Sequence, residues 1–150
     1  MIRKILVPID GSETARKALE YAVELAKQTG STIILLSVID KSSYYAAQTV
    51  PPVSTPTHLL ENLEDYFRQT AKAYVFEAEG LCKTKEVASH TLIKAGHPVE
   101  EIIKAAESSK VDLIVMGSHG KSALGAALLG SVTIGVMYRE TKFPVLVVRR

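Results

Sequence analysis

The stretch Val111–Thr133, VDLIVMGSHGKSALGAALLGSVT, decides how the chain is read. It begins as an apolar run, Leu113 to Met116, and a buried parallel strand reads as a continuous hydrophobic run of this kind. It then breaks into Gly117-Ser118-His119-Gly120. Glycine just past the carboxyl end of a strand lets the backbone approach a ligand with no Cβ in the way. Residues 121–129 intervene before Gly130, Ser131, Val132 and Thr133. Gly130-Ser131 has the character of a second glycine turn opening a final helix, and exposed N–H groups at a helix start suit a phosphate. The two turns make a phosphate cradle. Equally, such glycines make tight turns around a small sheet, and spacing alone does not choose.

The common nucleotide motifs are absent from this stretch. A Walker A loop ending in Gly120-Lys121-Ser122 needs glycine where Val115 stands, and Gly117-Ser118-His119-Gly120 does not supply G-x-G-x-x-G.

Outward toward the C-terminus, a last helix is expected from about Ser131. Gly135 within it costs roughly 1 kcal/mol relative to alanine, which is unexpected there. Ile134–Phe143 is also less polar early on than a usual surface helix. Val145–Val148 is a fifth strand.

Toward the N-terminus, Pro98 suits the first turn of a helix whose buried face is Val99, Ile102, Ile103 and Ala106. Glu86–Lys94 alternates loosely around Val87, His90, Leu92 and Ile93, a third strand. His58–Gly80 is a long helix with an inner stripe of Leu59, Leu63, Tyr66, Phe67, Thr70, Tyr74 and Ala78. The segment 41–57, with Pro51, Pro52 and Pro56, denies itself regular structure and reads as a long variable loop, a lid or an interaction arm. Thr32–Ile39 is a β-branched, buried second strand. Ala15, Ala18, Leu19, Ala22, Val23 and Ala26 mark one face of a helix capped by Ser12 and closed by Gly30. Lys4–Ile9 is the first strand, with Pro8 near its end, where a missing ladder donor is tolerated.

This alternation of strands and helices argues for a parallel sheet with helices on both faces. The chain, 150 residues with 47% apolar and 23% charged residues, suits one domain, 1–150, with a real core. A net charge of +2 is too small to argue for nucleic acid or an anionic membrane. No apolar run reaches membrane-span length. The N-terminus enters a strand directly and is not expected to be a signal peptide. The single Cys82 excludes an internal disulfide and a cysteine-cluster metal site, which fits the cytoplasm.

The spacing of Gly117, Gly120, Gly130 and Ser131 is G-x2-G-x9-G-[ST], and it resembles the nucleotide-binding signature of the universal stress protein family, ATP-binding branch. The resemblance spans the chain, from Ile5-Leu-Val-Pro-Ile-Asp-Gly-Ser12 to Pro144-Val-Leu-Val-Val148. It implies a five-stranded Rossmann-like sheet, related to the adenine nucleotide α-hydrolase folds, with strand order 3-2-1-4-5. The chain then reverses direction between strands 1 and 4, and open α/β sheets bind ligands in the crevice outside such strand ends.

The implied ligand is ATP with Mg²⁺ or Mn²⁺ on its phosphates. Pro8, Ile9 and Asp10 would line the nucleoside pocket, with Asp10 accepting from a ribose hydroxyl or reaching a phosphate-bound metal. Val38 would meet adenine through its backbone, and Met116 would close on base or sugar. Gly117 and Gly120 would admit ribose and phosphates, and Gly130, Ser131 and Val132 would hold phosphate oxygens. Lys121 is expected to be a solvated lysine.

The four histidines, His58, His90, His97 and His119, show no metal-ligand spacing. Ser118-His119 are neighbours in sequence, which alone does not make a nucleophile–base pair. The resemblance also implies a homodimer through Val145–Val148, since an exposed hydrophobic edge is otherwise an aggregation hazard. The expected function is a nucleotide-dependent stress or signalling switch, at most a slow ATPase, with an unidentified protein partner. Its rivals are an enzyme cleaving ATP at the α-phosphate, a flavin carrier and a dimeric adaptor with an empty cleft.

Overall fold

A computed structural model describes residues 1–42, 57–120, 129–139 and 142–149. Most of the expected 41–57 loop, together with Lys121 and Ser122, lies outside them. The elements among the described residues are β1 (Lys4–Pro8), α1 (Glu13–Thr29), β2 (Thr32–Asp40), α2 (Thr57–Thr84), β3 (Ser89–Gly96), α3 (Pro98–Ser109), β4 (Leu113–Gly117), α4 (Ser131–Arg139) and β5 (Val145–Val148). The five strands form one parallel sheet in the order β3-β2-β1-β4-β5, as the resemblance implied.

Each face of the sheet has its own core. Ile5 and Val7 of β1, Ile33 and Leu35 of β2, and Val115 of β4 pack against α1 and α2. Leu6, Ile34, Leu36, Ile114 and Met116, the alternate positions, pack against α3 and α4. This is the period-two alternation of a strand, with both faces covered. Fully burying one such aliphatic side chain stabilises by about 1.5–3 kcal/mol, so slippage of β1 by one residue would exchange two complete cores.

Local signals set the element ends. Ser12 caps α1 by accepting the Ala15 N–H at 3.2 Å, and Gly30 closes it in the left-handed region at φ 72°. The six apolar positions expected on α1 are all buried. Pro8 closes β1, and the ladder resumes past it with the Ile9 N–H on the Leu36 carbonyl at 2.7 Å. Pro98 starts α3.

Three readings of the sequence are corrected. Of the inner stripe expected on α2, Ala78 is buried, Leu63, Phe67, Thr70 and Tyr74 are half-buried, Tyr66 is 65% exposed, and the side chain of Leu59 lies outside the described residues. Ala71, Val75 and Cys82 complete the buried stripe, and Ala78 and Cys82 join the core shared with α1 and the sheet. The helix also runs on to Thr84, so β3 starts at Ser89 rather than Glu86, after a left-handed residue at Glu86 itself (φ 59°). The unexpected Gly135 is a packing requirement, because a Cβ there would lie 2.6 Å from Val99 Cγ2 of α3. Cys82 is wholly buried, and burial pushes its thiol pKa up, which leaves it inert. No helix among the described residues is long and apolar enough to cross a membrane.

Asp112 ties the start of β4 to the start of β1. Its Oδ2 accepts the N–H groups of Arg3 at 2.8 Å and Lys4 at 3.1 Å, and these bonds hold its carboxyl below the usual carboxylate range. A carboxylate depressed in the folded state contributes stability above its unfolded pKa and loses it as pH falls through the folded value. Asp112→Asn is therefore expected to flatten the acid-side fall in the urea midpoint, below roughly pH 4. An unchanged slope would show that these bonds contribute nothing to folding.

Candidate functional site

A cleft of about 290 Å³ opens at the carboxyl ends of β2, β1 and β4. Its floor and walls are Pro8, Ile9, Asp10, Leu36, Val38, Asp40, Met116 and Gly117, with Pro98 and Ile102 of α3, His119, Gly120, and Val132 and Thr133 of α4. Of the residues singled out in sequence, Pro8, Ile9, Asp10, Val38, Met116, Gly117, Gly120 and Val132 line it. Gly130 and Ser131 stand just behind, at the start of α4.

Asp10 leaves β1 and folds its own turn. Its Oδ1 accepts the Ser12 N–H at 2.9 Å. Its Oδ2 lies across from Gly120, where a Cβ would come within 2.9 Å of it. Gly11 follows at φ +79°, and the Tyr74 ring of α2 occupies the space of its missing Cβ. The left-handed backbone favours glycine at that turn, and a Cβ there would also displace the Tyr74 ring.

The glycines of the 117–130 stretch divide by what they touch. A Cβ on Gly117 would meet Thr14 Oγ1 at 2.6 Å, Thr14 carbonyl carbon at 2.7 Å and Ala15 N at 2.8 Å. Gly117 thus lets the first turn of α1 sit on the end of β4. Gly130 abuts the other glycine turn: its N–H donates to the Ser118 carbonyl at 2.6 Å, and a Cβ would lie 3.3 Å from His119 Cα. The Gly130 N–H is consequently spent inside the protein. Gly120 is different, since Asp10 Oδ2 is the contact its Cβ would make, across the cleft.

The first intrahelical bond of α4 runs from the Ile134 N–H to the Gly130 carbonyl at 3.0 Å. Ser131, Val132 and Thr133 therefore hold the N–H groups that a helix start leaves without an intrahelical acceptor. They form the positive end of α4 beside the cleft. Thr133 is buried and donates its hydroxyl to the Gly117 carbonyl at 2.8 Å, which locks α4 to the end of β4.

Hydroxyls hold the 118–120 turn from below. Thr14 Oγ1 donates to the His119 carbonyl, and Ser12 Oγ lies 3.4 Å from the same oxygen. Ser118 Oγ is 2.8 Å from His119 Nδ1, within hydrogen-bond reach. Ser118 is wholly buried, however, so it is a support for the imidazole and no exposed nucleophile.

Sequence reasoning missed Thr14 and Asp40, and named Thr133 with the second glycine turn without assigning it a role. Thr14 and Thr133 carry no local signal, since their role appears only when α1 and α4 meet β4. Asp40 had one: it stands two residues after Val38 on the same strand, hence on the same face.

A larger groove of about 640 Å³ runs between α1 and α2. Glu13, Glu20 and Glu77 line it, and Arg16 there is paired with Glu20 at 3.3 Å. That balance repels anions, and the start of α1 that borders the groove is capped by Ser12 and carries Glu13, so the smaller cleft is the candidate site.

An open parallel sheet with this order, with its cleft where the chain reverses between β1 and β4, defines a doubly wound α/β protein with a ligand crevice at its switch point. The chain belongs to the universal stress protein family, whose sequence profile matches residues 1–149. It is 36% identical to the universal stress protein MJ0577 of Methanocaldococcus jannaschii, over all of this chain and 96% of that one. The solved structure of MJ0577 superposes with a TM-score of 0.84, covering 100% of this chain and 97% of that one. The universal stress protein YxiE of Bacillus subtilis is 34% identical over 99% of this chain and its own full length. The fold is shared more distantly by a universal stress protein solved with cAMP (24% identity, TM-score 0.68, 99% and 97% covered). An Arabidopsis thaliana family member with AMP bound shares it at 16% identity (TM-score 0.69, 99% and 92% covered).

Proposed function

We propose that the chain binds ATP in the cleft at the carboxyl ends of β1 and β4 and acts as a nucleotide-dependent switch in a stress response, in the cytoplasm. The observation that carries this reading is the meeting of Asp10, Gly120 and the start of α4 on one cleft. The phosphates would lie at the N–H groups of Ser131 and Val132, with the Ser131 hydroxyl beside them. The sugar would sit against Asp10 and Gly120, and the base between Val38 and Met116. That cAMP and AMP occupy proteins of this fold agrees with an adenine nucleotide here.

Mg²⁺ or Mn²⁺ would enter on the phosphates, with Asp10 the carboxylate in reach. ATP would act by stabilising the bound form and its partner surface, with hydrolysis slow at most.

The test begins with denaturing freshly purified protein and identifying any released nucleotide by chromatography. ATP–Mg²⁺ is then titrated calorimetrically into the nucleotide-free protein. Binding supports the reading. No binding by folded, nucleotide-free protein sinks it and leaves the dimeric adaptor. Rapid pyrophosphate release would favour the enzyme that cleaves the α-phosphate.

The same reading includes a homodimer through β5. The strand is an edge, and its side chains are all half-buried. The carbonyls of Pro144 and Val148 accept from the N–H groups of Ile114 in β4 and Ser118 just past it. With a period of two, Val145 and Val147 therefore turn their N–H and C=O groups outward. Val147→Pro removes an outward donor and leaves the β4 ladder intact. It is expected to turn a dimer into a folded monomer by sedimentation velocity. A dimer unchanged by this substitution would place the interface elsewhere.

A further inference from the structure

One side of α4 is apolar where a surface helix is normally polar. Ile134 is 40% exposed and Met137 46%. Their direction follows from the neighbours of the rest of the helix. Gly135 abuts Val99 of α3, and Arg139 pairs with Glu100 of α3 at 3.6 Å, so these two mark the side toward α3. Thr133 and Val136 are buried and mark the side toward the sheet. At roughly 100° per residue, Met137 stands opposite the α3 side, with Ile134 next to it. α3 lies chiefly over β2, and Thr133 ties α4 to the end of β4. In the order β3-β2-β1-β4-β5, the side of α4 away from α3 therefore looks over β5 to the open edge of the sheet.

That edge is short. β5 has four residues. They make about 13 Å of strand, and pairing over that length falls well short of the ~800 Å² per partner of a stable interface. A dimer through β5 needs further surface beside it. Antiparallel pairing of two β5 strands sets the two-fold axis across the sheet, so both copies of α4 lie on the same face. Three inter-strand steps, roughly 14 Å, then separate the two helices. Subtracting Cα cylinders of about 2.3 Å radius leaves roughly 10 Å, the separation that interdigitating side chains fill. Ile134 and Met137 suit that gap. On the opposite face of the sheet, the exposed Tyr21 of α1 stands among Lys17, Glu20, Glu24 and Gln28, a polar surface.

We propose that the side of α4 carrying Ile134 and Met137 packs on the same side of α4 in a second copy, and that nucleotide and partner thereby strengthen each other's binding through this one helix. The inference rests on the nucleotide and β5 readings and adds to them a second contact and a linkage. The phosphates would engage the N–H groups of Ser131 and Val132, and Met137 stands less than two turns further on the same nine-residue helix. A ligand that fixes the start of so short a helix favours the position its partner must meet, and coupling between two binding sites is reciprocal.

The test uses the full chain freed of nucleotide, with dimer dissociation constants measured by sedimentation velocity. Met137→Glu and Ile134→Glu are each expected to weaken the dimer roughly tenfold or more, because the contact would bury an unpaired carboxylate. Tyr138→Glu is the control. Tyr138 is 84% exposed on the side of α4 opposite Val136, and its loss should leave dimer affinity within about twofold of wild type. Urea midpoints near that of wild type identify the folded variants. Saturating ATP–Mg²⁺ is expected to tighten the wild-type dimer roughly fivefold or more, and the monomeric Val147→Pro protein to bind ATP correspondingly more weakly. Dimerisation of folded Met137→Glu and Ile134→Glu proteins as in wild type, while Val147→Pro stays monomeric, overturns the α4 contact and leaves the β5 dimer. A wild-type dimer that binds ATP without tightening overturns the linkage. A monomeric wild type overturns the dimer reading, and a wild type that binds no ATP the nucleotide reading, each taking this inference with it.

Discussion

Replacing Gly117 by alanine is expected to destabilise the protein by about 3 kcal/mol, the upper end of what overpacking costs. The added methyl would lie 2.7 Å from the Thr14 carbonyl carbon and 2.8 Å from Ala15 N. These are backbone atoms of the first turn of α1, and no rotamer change moves them. Either α1 lifts from β4 or β4 shifts in the sheet, and both faces of that sheet are packed. Lifting α1 would also loosen the Thr14 hydroxyl from the His119 carbonyl. For a chain of this length each kcal/mol moves the melting temperature by roughly 2–4 °C, so a fall near 10 °C should appear in calorimetry. Gly80→Ala is the matching control. It lies within α2 with nothing within 4 Å of its added Cβ, and should gain about 0.5–1 kcal/mol. Equal effects at the two glycines would show that α1 does not rest on Gly117.

Gly120→Val should have the opposite profile, with ATP affinity lowered by roughly hundredfold or more and stability within about 1 kcal/mol of wild type. The space beyond Gly120 belongs to the cleft, and the Asp10 carboxylate oxygen at 2.9 Å is the neighbour an added Cβ would meet. A branched side chain there would stand between Asp10 and the start of α4, where sugar and phosphates are proposed to pass. Calorimetric titration of ATP–Mg²⁺ beside urea unfolding separates the two effects. Undiminished affinity in a folded Gly120→Val protein would mean the ligand does not cross this part of the cleft. Gly130 is a poorer probe, because its Cβ would press on the 118–120 turn and confuse folding with binding.

These two glycines, three residues apart in one motif, have different physical duties. The spacing G-x2-G-x9-G-[ST] identifies both and distinguishes neither. Gly117 relieves a helix on one side of the sheet, Gly120 clears the cleft, and Gly130 backs onto the turn between them. A motif records that a Cβ is unwelcome. What would have met it is a fact of the neighbours.

Much was legible in the sequence because it is local. Hydrophobic periodicity set α1, and the apolar runs set β1, β2, β4 and β5. Cap chemistry at Ser12 and Gly30 set the ends of α1, and Asp10 and the glycine turns stood out as strand-end chemistry. The strand order came from resemblance, since alternation and right-handed crossovers permit several orders. Tertiary structure alone decided the rest. Tyr66 shares the helical spacing of Ala78 but faces solvent, while Cys82 packs into the core beside Ala78, because the distance between helix and sheet decides which residues fit. Gly135 reads as a flaw in α4 until Val99 of α3 is seen filling its space. Thr14 and Thr133 look ordinary in the chain. They join the site because the starts of α1 and α4, far apart in sequence, both meet the end of β4, and long-range convergence of this kind leaves no mark in local pattern.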